Sequence, residues 1–149
     1  MNRVSPKLTT ARYLATLPWI LILAVAAVIA GIVWGKWWWL ATAAVAILFV
    51  WLLWLIPTQV KRIGWRETDD ELLIEKGKIF HSLTVVPYGR IQFVDVSSGP
   101  VERKLGLKTI ELHTASSSSD ATVPGLPADT ADELRARLAD KARERMSGL

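Results

Sequence analysis

The chain has 149 residues, a formal net charge of +4, 51% hydrophobic residues and no cysteine, which excludes disulfides, zinc–thiolate sites, thiol catalysis and cysteine-held iron–sulfur clusters. Of the 18 basic residues only Arg3, Lys7, Arg12 and Lys36 precede residue 61, and no acidic residue accompanies them. Residues 61–149 are therefore formally neutral, without the basic excess that nucleic-acid binding requires, and they are enough for one modest domain.

The first element is a short basic tail, residues 1–12. An uncharged stretch runs from Tyr13 to Gly35, Lys36 interrupts it, and a second runs from Trp37 to Val60. A membrane span needs about 20 predominantly apolar residues, so the two stretches read as spans over about 13–34 and 37–57, joined by a turn at Gly35-Lys36. A cleaved signal peptide has an apolar core of about 7–15 residues followed by a small-residue site, and this pattern is longer and doubled. Arg3, Lys7 and Arg12 flank one end of the hairpin, and Lys61, Arg62 and Arg66 flank the other. By the positive-inside rule both termini belong in the cytoplasm of a bacterial inner membrane. Trp34, Trp37, Trp38 and Trp39 cluster at the turn, and Tyr13, Trp19, Trp51 and Trp54 lie toward the opposite ends. They read as two interfacial belts, with rings such as Trp51 packing between helices or facing lipid as the plainer alternative.

Neither span carries an ionisable side chain, which argues against a channel, pump or transporter. Ala27 with Gly31, and Thr42 with Ala46, give small residues at four-residue spacing; alanine is also simply common in spans. Pro18 is expected in the first turns of its helix, where a missing N–H costs little, and Pro57 near the end of the second.

From residue 60 the period shortens. Val60 to Thr68 alternates, with Ile63 and Trp65 on one face and Arg62 and Arg66 on the other. Asp69-Asp70 is a turn, Glu71–Lys76 a strand with Leu72 and Ile74 inward, and Glu75-Lys76-Gly77-Lys78 a hairpin signal. Ile79–Val86 is the partner strand. Pro87-Tyr88-Gly89-Arg90 is a turn, Ile91–Ser98 a strand and Val101–Leu105 a helical turn. Lys108–Thr114 is a strand with Ile110 and Leu112 inward, followed by a loop at Ser116–Ser119 and a short strand at Ala121–Pro124. Thr130 and Glu133 fit a capping box for a helix to about Met146, whose stripe is Ala131, Leu134, Leu138 and Ala142. Six strands and one helix suggest a small barrel or sandwich capped by a helix.

The run Val86-Pro87-Tyr88-Gly89-Arg90-Ile91-Gln92-Phe93-Val94-Asp95-Val96 resembles the central signature of bacterial pleckstrin-homology-like membrane proteins, the YdbS-like family. So do Gly99-Pro100-Val101-Glu102-Arg103-Lys104-Leu105-Gly106-Leu107, Thr109-Ile110-Glu111-Leu112-His113-Thr114-Ala115 and Pro124-Gly125-Leu126-Pro127. The resemblance implies an antiparallel pleckstrin-homology-like barrel over residues 60–149, two roughly orthogonal sheets closed at one end by the C-terminal helix. It implies no biochemical activity. It makes larger relatives, or copies of the chain itself, plausible oligomeric partners.

No residue pattern here has catalytic form. His81 and His113 fall on outward strand positions without metal-ligand spacing. Asp69, Asp70 and Glu71 read as turn chemistry, and Ser116–Ser119 lacks a nucleophile elbow. No metal, cofactor or small-molecule substrate is expected. Eukaryotic pleckstrin-homology domains grip phosphoinositides with basic residues around the first hairpin loop, whereas here Thr68-Asp69-Asp70 is short and acidic. Lys76, Lys78, Arg90, Arg103, Lys104 and Lys108 are the remaining basic candidates for a lipid or partner contact, with Arg103, Lys104 and Lys108 foremost. Dispersed surface charge is the alternative. Lys61 and Arg62, with Arg66, face the anionic leaflet. The expectation is a non-enzymatic docking or assembly module for other envelope proteins, with sensing of anionic headgroups as the alternative.

Overall fold

The computed structural model describes residues 1–77 and 79–148; Lys78, on the predicted hairpin, lies outside them. Two long helices come first, α1 (Lys7–Trp34) and α2 (Trp38–Val60). They pack as an antiparallel pair through Ile20, Ala30 and Gly31 of α1 and Leu55 and Ile56 of α2, while most other side chains point outward. Both are long and apolar enough to span a bilayer. Gly35 turns the chain at φ +97°, a conformation open to glycine, and its N–H still reaches Gly31 O at 3.3 Å. The Trp39 ring packs over Gly31, where an added Cβ would meet it at 3.4 Å.

Two antiparallel sheets follow. The first has the order β1 (Asn2–Arg3), β2 (Gly64–Glu67), β3 (Glu71–Lys76), β4 (Ser82–Pro87). The second is β5 (Ile91–Ser97), β6 (Leu107–Thr114), β7 (Ala121–Pro127). Among the described residues no ladder joins them, so the expected barrel is two open sheets around a shared core. A five-residue helix α3 (Pro100–Lys104) links β5 to β6, and α4 (Ala128–Ser147) closes one end. The stripe Ala131, Leu134, Leu138 and Ala142 is the buried face of α4. Inward residues follow the expected alternation: Trp65 opposite Ile74, Leu72 opposite Val86, and Ile110 and Leu112 between Val94, Val96, Ala121 and Val123.

Several boundaries differ from the sequence reading, each for a physical reason. The predicted capping box is absent. Thr130 lies inside α4, which starts directly from Pro127, and the first N–H, on Ala128, donates to Gly106 O at 2.9 Å. A backbone carbonyl thus does what the Thr130 hydroxyl was expected to do. The first strand after the spans is Gly64–Glu67 rather than Val60–Thr68, because α2 continues through Pro57 to Val60. Pro18 is well inside α1, since that helix starts at Lys7.

The start of the chain departs most from expectation. Residues 1–12 are not a tail. Asn2 and Arg3 pair with Trp65 and Gly64, Ser5 N–H donates to Gly125 O at 2.9 Å, and Val4, Leu8 and Ala11 belong to the domain core. The helical hairpin is thus inserted within the domain, after its first strand. Both hairpin ends leave one folded body, so the N-terminus and residues 61–148 lie on the same side of the spans.

Candidate functional site

The region where the hairpin leaves the domain brings together the polar groups closest to the spans. Arg12 ends the charged part of α1, and its guanidinium donates to Gln59 Oε1 at 3.5 Å across to α2. One residue on, the Tyr13 hydroxyl donates to the Leu53 carbonyl at 2.6 Å. Pro57 explains that bond. In a helix the Leu53 carbonyl accepts from the N–H four residues later, and proline has none. An unpaired carbonyl at the edge of lipid costs several kcal/mol. Tyr13 supplies the missing donor, and the helix runs on through Pro57.

The β3–β4 hairpin reaches the same level. Ile79 and Phe80, at its tip, line one hollow with Arg12, Gln59, Ile63 and Lys76. On the other side of the hairpin, Arg3, Lys61, Arg62, Glu75 and His81 line a second hollow. His81 and Glu75 form an ion pair. Burial first, then the nearby positive charge of Arg12, holds the Lys76 ammonium below its ordinary range. The membrane-facing end is therefore basic on both flanks of an apolar tip.

The opposite end of β3 carries the acidic turn. Thr68 closes it through its hydroxyl and N–H, and Arg145 of α4 pairs with Asp70. Lys141 lies 4.7 Å above the Tyr88 ring and donates to Thr68 O at 3.3 Å, and the Tyr88 hydroxyl donates to the same carbonyl at 2.9 Å. Tyr88 is fully buried, and burial pushes its phenol up.

A profile of the bacterial PH domain family matches residues 11–142, nearly the whole chain. The chain belongs to the bacterial PH domain family. It is similar to the UPF0699 transmembrane protein YdbS of Bacillus subtilis, 34% identical over 101 residues, which are 63% of this chain and 62% of that protein. It is also similar to the UPF0699 transmembrane protein YdbT of the same organism, 25% identical over 104 residues, 68% of this chain and 21% of that protein. The chain thus spans less than two thirds of either relative. No solved structure matches it. It is a membrane protein with a bacterial PH domain.

Within this bacterial PH domain, the predicted contact residues do not form one patch. Arg103 and Lys104 are exposed at the end of α3, which packs against the start of α1. Lys108 is paired elsewhere, donating to both carboxylate oxygens of Asp132 on α4 at 3.0 and 2.9 Å. Arg90 is exposed beside the buried Tyr88. Lys61 and Arg62 are exposed at the base of α2. Trp19, Trp34, Trp37, Trp38, Trp39 and Trp54 all lie largely on the outside of the helical pair, Trp34 and Trp38 with ring centroids 5.6 Å apart. His113 stacks on Phe93 at 4.4 Å and has Asp120, Asp95 and Glu111 within 3.4–3.9 Å.

Sequence reasoning missed two features of this PH domain. One is the recruitment of Val4 and Leu8 into the core, for which the apolar residues between Arg3 and Arg12 were the available signal. The other is the outer face of β4, where Leu83 and Val85 are exposed beside half-buried Leu73. The sequence Leu83-Thr84-Val85-Val86 is apolar on both faces, which is the signal for it.

Proposed function

We propose that the chain is a non-enzymatic inner-membrane protein. Its PH-like domain, on the cytoplasmic side, docks a second membrane-anchored PH-like domain, either a copy of itself or a longer relative. The free edge of β4 carries this reading. Among the described residues that strand pairs only with β3, so one row of its backbone groups is unpaired within its sheet, and Leu83 and Val85 add an apolar outer face. Exposed apolar edge strands are ready templates for pairing with another chain. β4 starts near the spans and runs away from them, so a second domain anchored in the same membrane meets it side by side. One organism holds two relatives that match stretches of similar length, 62% of one protein and 21% of the other, which is consistent with pairing between short and long forms.

Headgroup sensing is the second reading, favoured by the basic residues Arg3, Arg12, Lys61, Arg62 and Lys76 around the membrane-facing end. The loop that pleckstrin-homology domains use for phosphoinositides does not support it here, since the acidic Asp69-Asp70 sits at the far end of β3 and Arg145 pairs with Asp70. Six strand residues span about 20 Å.

Cross-linking in native membranes tests the first reading. Leu83→Cys or Val85→Cys, each the sole cysteine, should give a bismaleimide adduct to the same chain or to another PH-like membrane protein, and Arg143→Cys on the outer face of α4 should not. Equal adducts at all three positions, or none at β4, overturn docking. Tight, headgroup-selective binding of the full chain's domain face to anionic vesicles promotes the second reading.

A further inference from the structure

The tip of the β3–β4 hairpin carries two large apolar side chains that no described residue of the domain covers. Ile79 is 71% exposed and Phe80 87%. Exposed apolar pairs of this kind mark an interaction site when their neighbours are polar. What distinguishes this pair is its place. Both residues share a hollow with Arg12, the last charge before the first span, and with Gln59, which bonds to Arg12 from the end of the second. The level of Arg12 and Gln59 is where the uncharged parts of both helices begin, and so where the headgroups lie.

We propose that Ile79 and Phe80 insert into the boundary between headgroups and acyl chains of the leaflet from which the spans start, a third anchor that fixes the tilt of the domain on the membrane. The surrounding charge fits such a surface. Arg12 and Lys76 flank the tip on one side, and Arg3, Lys61 and Arg62 on the other. Glu75 is the acidic residue among them, and it is paired with His81. Apolar side chains surrounded by cations suit an anionic leaflet, with the apolar groups below the headgroups and the cations among them. Continuity with the spans selects the occupant: the covering surface is the bilayer that the helices already enter. With the tip buried, β4 stands upright on the membrane and its free edge faces sideways. The anchor does not rest on the docking reading.

The test uses the full chain in vesicles of phosphatidylcholine and phosphatidylglycerol. Ile79→Cys, the sole cysteine, is labelled with an environment-sensitive fluorophore and compared with Ser118→Cys in the β6–β7 loop. That loop lies at the end of β6 away from α1. The label at 79 should emit to the blue and be quenched several-fold more than the label at 118 by lipids carrying a nitroxide near the headgroup. Phe80→Asp in the same background should return it to aqueous behaviour while circular dichroism is unchanged. Aqueous-like emission at 79 overturns the proposal. So does a label shielded from soluble iodide yet untouched by lipid nitroxide, which assigns the tip to a protein contact instead.

Discussion

Leu8 lies against Gly125 so closely that a Cβ on Gly125 would sit 2.6 Å from Leu8 Cδ2, and Gly125 itself has φ +68°. The strand β7 and the first turn of the membrane helix are thus locked through a position with room for hydrogen alone. Gly125→Ala should combine left-handed strain of about 1–2 kcal/mol with overpacking of about 1–3 kcal/mol. Leu8→Ala alone should cost about 2–5 kcal/mol through its cavity. The two should not fully add: the double variant removes the contacts with Leu8 Cδ2 and Cγ, at 2.6 and 2.9 Å, but keeps the Cβ at 2.8 Å, so only part of the overpacking should be relieved and the double variant should melt somewhat above the sum of its parents. Thermal unfolding in mild detergent, with additive losses, would show that the contact is not made.

The Tyr13–Leu53 bond gives a second, membrane-specific prediction. Tyr13→Phe strands the carbonyl that Pro57 leaves unpaired and should cost about 1–3 kcal/mol. In a Pro57→Ala background the helix regains its own N–H, and the same substitution should become nearly neutral. An undiminished loss in that background places the importance of Tyr13 elsewhere.

Because Val4 and Leu8 are core residues, a fragment of residues 60–149 should be markedly less stable than the domain in the intact chain. Each buried Val or Leu contributes about 1.5–3 kcal/mol. Joining residues 1–11 to residues 60–149 through a flexible Gly/Ser linker in place of the spans should restore a cooperative melt. If the linked and unlinked fragments melt alike, the N-terminal segment is not part of the core in solution.

The strand register is tested at β6. Leu112 is fully buried, whereas His113 is partly exposed and its carboxylate neighbours face solvent. Leu112→Ala should cost about 2–5 kcal/mol, and His113→Ala no more than about 1 kcal/mol, since exposed ion pairs contribute little. Large and equal losses would mean that the faces are exchanged.

Orientation is checked by labelling intact cells. Lys36→Cys should react with an impermeant maleimide from outside, and Ser118→Cys only after permeabilisation. The reverse pattern would place the PH-like domain outside the cytoplasm.

Local patterns in the sequence determined most of the elements and faces of this protein. Two uncharged stretches longer than a bilayer specify two spans. Alternation places Trp65, Leu72, Ile74, Ile110 and Leu112 inward, and the 3.6-residue period selects the buried stripe of α4. The family resemblance followed from Val86–Val96 and its companion motifs. Only the tertiary structure decided what depends on contacts between distant residues. Asn2 pairs with Trp65 because the hairpin returns α2 beside α1, which no local period encodes. Pro57 stays inside its helix because Tyr13, on the other helix, supplies the donor it lacks. Gly106 starts α4 in place of Thr130, and Asp132 takes Lys108 from the basic candidates. Side-chain chemistry and period act over a few residues and can be read along the chain. Pairing across a fold depends on where the ends of elements meet, and packing sets that.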